Sequence, residues 1–144
     1  MDNSFESKEY FEHDLELRYK YNQDPCFPDF HFHDSYEVFY SIGGGMQYLI
    51  EDSIYSLNPG DLFIINNYEI HKPLRNPKAQ YERIVVIINP EKIKEIAPQQ
   101  SALLLSCFTS RKRGEHNKIN LSQEERRHYF GLVEKIRDLN PHEL

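Results

Sequence analysis

His31-Phe-His33-Asp-Ser-Tyr-Glu37-Val-Phe39-Tyr-Ser-Ile-Gly-Gly44-Gly decides how the rest of the chain is read. Positions 31, 33 and 37 share one parity. Successive side chains of a strand point to opposite faces. Read as one strand from Phe30 to Ile42, the segment therefore puts His31, His33 and Glu37 on a single face, with Ser35, Phe39 and Ser41 beside them. Gly43-Gly44-Gly45 closes the strand with a turn in which positive φ carries no steric cost. A later segment, Asn66-Asn-Tyr-Glu-Ile-His71, adds a third imidazole. Three imidazoles and a carboxylate suit a divalent ion such as Zn, Ni, Fe or Mn, with positions left open for water or a ligand. The spacing does not select among these ions.

The segments on either side alternate in the same way. In Phe11–Tyr21, Phe11, Leu15, Leu17, Tyr19 and Tyr21 share one parity, and Glu12, Asp14, Glu16, Arg18 and Lys20 share the other. Period two predicts a strand with one wet face. Asp24-Pro-Cys-Phe-Pro28 is a break. Met46–Glu51 and Ile54–Leu57 flank Asp52-Ser53 as a short hairpin. Asn58-Pro59-Gly60-Asp61 is a turn, Leu62–Ile65 a fully apolar strand, and Tyr81–Ile88 a strand rich in β-branched residues. Short strands with turns at this spacing predict a sandwich or barrel. On the last strand Arg83 shares parity with Tyr81, Val85 and Ile87. If that face is inward, the guanidinium needs a carboxylate or polyol partner. If Glu82 faces inward instead, or Arg83 lies at the strand mouth, it is simply solvated.

The texture changes after Pro90. Pro90–Ala97 reads as a short helix begun by proline. Ser101–Phe108 is an apolar run of undecided type, and Ser110–Asn120 a polar, basic loop. Arg111-Lys-Arg113 is expected to be solvated; contact with nucleic-acid phosphate is its sharper reading. Ser122 and Glu125 form a reciprocal capping pair. Tyr129, Phe130, Val133, Ile136 and Leu139 then recur at helical spacing, so Ser122–Leu139 is an amphipathic helix whose stripe meets either the barrel or a partner chain. His13, His116, His128 and His142 read as surface histidines. Tyr36, Tyr40 and Tyr48 read as core, with stacking on a sugar as the alternative.

Composition narrows the function classes. A chain of 144 residues with 39% apolar and 28% charged residues is globular in character, and its ten Tyr and nine Phe lean toward strands. The net charge of −6 argues against a domain that grips DNA by itself, since such affinity comes from neutralised phosphates. No apolar run approaches the roughly 20 residues of a membrane helix. Met1–Tyr10 is polar and acidic rather than a signal segment, and two cysteines, Cys26 and Cys107, make no disulfide framework. These features lead to an expectation of a cytoplasmic protein with no membrane contact.

His31-x-His33-x-x-x-Glu37, with Gly44 beyond, resembles the first conserved motif of the cupin superfamily, and Pro59-x-Asp61 with His71 resembles the second. Asn58-Pro-Gly-Asp-Leu-Phe-Ile-Ile-Asn-Asn-Tyr-Glu-Ile-His71 is similar, more narrowly, to the sensor domains of AraC-type transcription regulators. Asn66 and Asn67 stand where the usual second motif has Pro. The resemblance implies an all-β, cupin-like double-stranded β-helix, a jelly-roll barrel, with a C-terminal helical tail. It implies a sensor barrel over 1–90 and a helical, dimerising tail over 91–144. DNA would be contacted only through a helix-turn-helix domain that is missing here. That lack and the tail ending at Asn140–Leu144 suggest a trimmed chain, with a stand-alone domain as the alternative. The expected function is effector sensing and homodimerisation, a small molecule, a sugar at family level, lying inside the barrel against His31, His33, Glu37, Phe39, His71 and Arg83. His31, His33, Glu37 and His71 are the candidate metal ligands. Many such sensors keep these histidines without a metal, so a ligand-lined cluster is the alternative there. The rival function is a small metal-dependent cupin enzyme of sugar isomerase or dioxygenase type.

Overall fold

A computed structural model describes residues 6–8, 15–22, 30–74 and 76–139; for 6–8, 19–22 and 30–32 it gives strand placement alone. Ten strands are described: β1 (Glu6–Lys8), β2 (Leu15–Asn22), β3 (Phe30–Phe32), β4 (Tyr36–Ser41), β5 (Met46–Ile50), β6 (Ser53–Leu57), β7 (Leu62–Ile65), β8 (His71–Leu74), β9 (Tyr81–Ile88) and β10 (Lys118–Ile119). Four helices follow the pattern change at Pro90: α1 (Pro90–Ile96), α2 (Ser101–Leu104), α3 (Ser106–Thr109) and α4 (Gln123–Leu139). One sheet has the order β1-β3-β8-β5-β6 and the other β10-β7-β4-β9-β2. All pairings are antiparallel except β1 with β3. The chain passes repeatedly between the two sheets, β5 and β6 in the first, β7 in the second, β8 in the first, β9 in the second. This is the jelly-roll order of a cupin-like double-stranded β-helix.

The second sheet is buried on both sides. Its inward register row runs Glu16, Ile87, Glu37, Ile65, and the next runs Arg18, Val85, Phe39, Phe63. Phe39, Phe63, Ile65, Tyr81, Val85 and Ile87 join Met46, Tyr48, Ile50 and Leu57 of the first sheet in the inner cluster. The outward residues Leu17, Tyr40, Leu62, Ile84 and Val86 pack beneath Tyr129, Phe130, Val133 and Ile136 of α4. Tyr36 and Ile64 pack beneath Leu105 and Phe108. Both faces being covered explains why β7 and β9 are almost continuously apolar. Tyr36, Tyr40 and Tyr48 are core residues, but only Tyr48 belongs to the inner cluster.

Several expectations need correcting. Phe30–Ile42 is not one strand: β3 lies in the first sheet and β4 in the second, and the chain crosses between them through His33-Asp34-Ser35. Parity counted across that crossing has no physical basis. The charged face of β2 is not the outer, wet one. The register turns Glu16 and Arg18 inward, while Leu17 lies under α4. Alternation identified the strand but could not say that its outside would be roofed by a helix and its inside polar. The β5–β6 turn lies at Glu51-Asp52, one residue early, with Glu51 at φ 50°. The undecided run became α2 and α3, and the polar loop carries β10, which pairs with β7. Leu139 is 80% exposed and leaves the stripe of α4. The capping pair forms as expected, Glu125 Oε2 accepting from Ser122 N at 2.7 Å and Ser122 Oγ from Glu125 N at 3.2 Å. Asn89 caps α1 through Glu91 N at 3.0 Å, with Pro90 at its first position. Phe11–Asp14, Cys26, His142 and the Asp24–Pro28 break lie outside the described residues.

Candidate ligand and metal site

The crossing from β3 to β4 places His33 at the bend, and the first turn of β4 places Glu37 on its inward row. His71 opens β8 on the opposite sheet, paired in register with both His31 and Ile50. The three side chains converge: one ligand atom of each of His33, Glu37 and His71 lies within 4.8 Å of the others, and all three residues are buried. His33 Nε2 is 3.0 Å from Glu37 Oε2, and His71 Nε2 is 3.6 Å from the same oxygen. The two rings meet edge to face at 5.3 Å between centroids.

The far side of each ring is fixed by the backbone. His33 Nδ1 donates to Ser35 O at 2.7 Å, and His71 Nδ1 donates to Glu69 O at 2.7 Å. A carbonyl only accepts, so Nδ1 carries a proton in both rings. Each Nε2 is thereby aimed at Glu37. This is how metal-binding imidazoles are held, one nitrogen oriented by a backbone carbonyl and the other facing the ion. Burial pushes the Glu37 carboxyl upward, but the hydrogen bonds and positive charge of His33 and His71 outweigh it and hold the group well below the ordinary carboxylate range. Two imidazoles and one ionised carboxylate are a donor set that fits a divalent ion. His31 is placed by its backbone opposite His71; its side chain lies outside the described residues.

The other expected residues lie along the same inward face. Phe39 is 1% exposed and stacks near Tyr48 at 5.1 Å. Arg83 is 8% exposed, four residues along β9 from Ile87, or about 13 Å at roughly 3.3 Å per residue. Its Nη1 donates to Tyr81 O at 3.2 Å, and its guanidinium carbon lies 3.8 Å from the Tyr81 ring centre. Among the described residues no carboxylate pairs with it. Tyr81 is itself pushed upward in pKa, chiefly by burial. Elsewhere a polar depression of about 490 Å³ is lined by Met46 and Leu57 of the inner cluster with the exposed Gln47 and Ser56, Asn58 and Asn76.

Sequence reasoning missed three participants. Glu16 and Arg18 line the inward face as a pair, with Arg18 Nε 2.8 Å from Glu16 Oε2. Arg111, expected to be solvated, has a side chain only 5% exposed and binds Glu69. A basic residue 42 positions from its partner leaves no local signal. Arg113 is more exposed but is also engaged, with Glu51 Oε1 at 2.7 Å. His116 and His128 are surface residues as expected.

Strand order and strand pairing together define a cupin-like barrel whose inward face carries His33, Glu37 and His71 at one place and Arg83 at another. The sequence matches the model of the AraC-like ligand binding domain over residues 12–127, and the chain belongs to that family. No curated protein matches it. Among solved structures, a Cupin 2 conserved barrel domain protein from Salinispora arenicola CNS-205 is similar over 62% of this chain and 75% of its own, at 16% identity and TM-score 0.49. A cupin-2 domain protein from Shewanella frigidimarina NCIMB 400 is similar over 54% and 72%, at 20% identity and TM-score 0.43. Oxalate decarboxylase from Bacillus subtilis, with Mn(II) centres, is similar over 72% of this chain and 33% of its own, at 16% identity and TM-score 0.46. Among the described residues, no helix is long and apolar enough to cross a membrane.

Proposed function

We propose that this domain senses a small molecule held inside the barrel, on behalf of a transcription regulator of AraC type. One observation carries the reading: Arg83 faces inward, buried, with a ring and a carbonyl for company and, among the described residues, no carboxylate. A guanidinium kept from water gains strongly from an anionic or hydroxyl-rich partner. A ligand anchored there would lie against Phe39 and Tyr81 and extend toward His33, Glu37 and His71. Small barrels hold single ligands in this way. If a divalent ion is bound, His33 and His71 hold it through Nε2 and Glu37 through a carboxylate oxygen, with His31 as a further candidate. The ion supplies a Lewis acid for a ligand oxygen. That donor set is also what favours the second reading, a metal-dependent cupin enzyme.

As a sensor, the domain acts as a homodimer in the cytoplasm, and DNA is contacted by a helix-turn-helix domain elsewhere in the protein. The tail from residue 91 serves the dimer; α4 keeps Leu132 and Leu139 exposed at 46% and 80%. The effector must bind two arrangements of the dimer unequally, because equal affinity shifts nothing. The test is a thermal-shift panel of sugars, organic acids and aromatic acids. Some compound should raise Tm in the wild type and lose that effect in Arg83→Gln. A panel without stabilising compounds, or one whose best compound ignores Arg83→Gln, sinks the reading. Elemental analysis of protein prepared without added metal addresses the ion: one equivalent, lost in His33→Ala and His71→Ala, is expected if the metal reading holds.

A further inference from the structure

The carbonyl that orients His71 belongs to Glu69, whose own carboxylate is wholly buried and saturated with donors. Arg111 grips it with both arms, Nη1 to Oε1 and Nη2 to Oε2, each at 2.7 Å. Gly114 N donates to Oε1 at 2.7 Å and Asn66 N to Oε2 at 2.6 Å. Asn117 Nδ2 lies 3.2 Å from both oxygens. Glu69 and Asn117 are 0% exposed. Three of these residues, Arg111, Gly114 and Asn117, come from the loop between α3 and α4.

The turn they reach is poorly held by its own backbone. Tyr68 sits at φ 64° without being glycine, and the closing bond from Glu69 N to Asn66 O is long, at 3.4 Å against an ordinary 2.9 Å or so. Tyr68 N donates to His33 O and Glu51 N to Ile70 O, each at 2.8 Å, on either side of Glu69, and the grip on the Glu69 side chain fixes the residue between them. Arg113 supports the same stretch, donating to Tyr68 O and to Glu51, whose Oε1 in turn accepts from Ile70 N at 3.0 Å. Residues 68–70 are thus wrapped from outside by the loop, and His71 follows directly.

We infer that Arg111 is a positioning residue for the site: by clamping Glu69 it fixes the carbonyl that sets the His71 ring. The 110–117 loop is then part of the site's support, acting through Glu69. Coupling of this kind is reciprocal, so whatever shifts His71 also loads the loop that leads into β10 and α4. The inference rests on the ligand-site reading of His71 for its biological meaning, but its geometric claim can be tested without any ligand.

The experiment uses the full chain labelled with ¹⁵N-histidine. In the wild type, long-range ¹H–¹⁵N spectra should show His71 as a single tautomer protonated at Nδ1. Arg111→Ala should move His71 toward the averaged pattern of a free ring. Val133→Ala, a destabilised control on the buried face of α4, should leave the pattern alone. Arg111→Lys keeps the charge but loses the two-armed grip, and should show a partial change; it decides the matter if Arg111→Ala does not fold. In parallel, Co²⁺ affinity should fall about 10- to 100-fold in Arg111→Ala and stay unchanged in Val133→Ala. An unmoved His71 ring in folded Arg111 variants overturns the inference. A wild type that binds no Co²⁺ overturns the metal reading instead, and the ring spectra still decide this one.

Discussion

Glu69 shows how a single residue can link fold stability to pH. Burial pushes its carboxyl up, but Arg111, the Gly114 and Asn66 amides and the Arg111 charge more than offset this and bring it down from 4.5 to about 2. The folded pKa lies below the unfolded one. Its contribution is therefore fully present above pH 4.5 and is lost as pH falls toward about 2. A shift of that size corresponds to about 3 kcal/mol. Urea unfolding of wild type and Glu69→Gln should show the largest stability gap near neutral pH, closing progressively below pH 4.5. A gap that stays constant down to pH 2.5 would mean that the ionised carboxylate is not what holds the loop. At this scale the sequence was half legible. His33, Glu37 and His71 were recognisable because metal-binding residue types gather there, although the strand parity that grouped His33 with Glu37 fails at the crossing between the sheets. Arg111 was not, because the identity of a buried ion's partner depends on which distant loop folds over it.

Elements were easier to read than their environment. Leu62–Ile65 and Tyr81–Ile88 were found to the residue, because β-branched runs bounded by turns have few alternatives. α4 was found from its capping pair and its stripe. What alternation could not supply was the side of β2 that faces water, since inside and outside are assigned by the second sheet and by α4, not by the strand itself. The β3–β4 crossing was invisible for a related reason: a two-residue bend inside an alternating run costs the pattern nothing. Two predictions belong here. Gly131 lies in the middle of α4, and an added Cβ would meet nothing within 4 Å. Gly131→Ala should therefore stabilise the protein by about 0.5–1 kcal/mol, seen as a rise in Tm, by restricting the unfolded chain and improving helix propensity. A fall in Tm would show that the helix face around Gly131 is packed more tightly than its surroundings indicate. Tyr40 stacks with Tyr129 at 5.3 Å and meets Phe130 edge-on at 4.9 Å. A double-mutant cycle of Tyr40→Ala and Tyr129→Ala should give a coupling of about 0.5–1.5 kcal/mol. Additivity within error would mean that α4 rests on the sheet without specific contact.

On the scale of the whole molecule, one sheet serves two compartments. The strands β4, β7 and β9 build the inner core with one set of side chains and, together with β2, carry α4 with the other. The loop before α4 is tied independently to the turn before His71. With both attachments in place, α4 should open only when the sheet opens. Ligand binding to the folded state slows such global opening by a factor of roughly 1 + [L]/Kd. Hydrogen exchange measured by mass spectrometry, with and without saturating Co²⁺, is the direct check. Peptides from α4 should slow by the same factor as peptides from β9, even though none of the donor atoms lies on the helix. Slowing confined to β4, β8 and β9 would show that α4 detaches as a separate unit. In that case occupancy of the interior has no structural route to the tail, and the helix would be a cover for the sheet's apolar face. Equal slowing would instead make α4 part of the same cooperative unit as the site, which is the property a sensing domain needs from the element that carries its message outward.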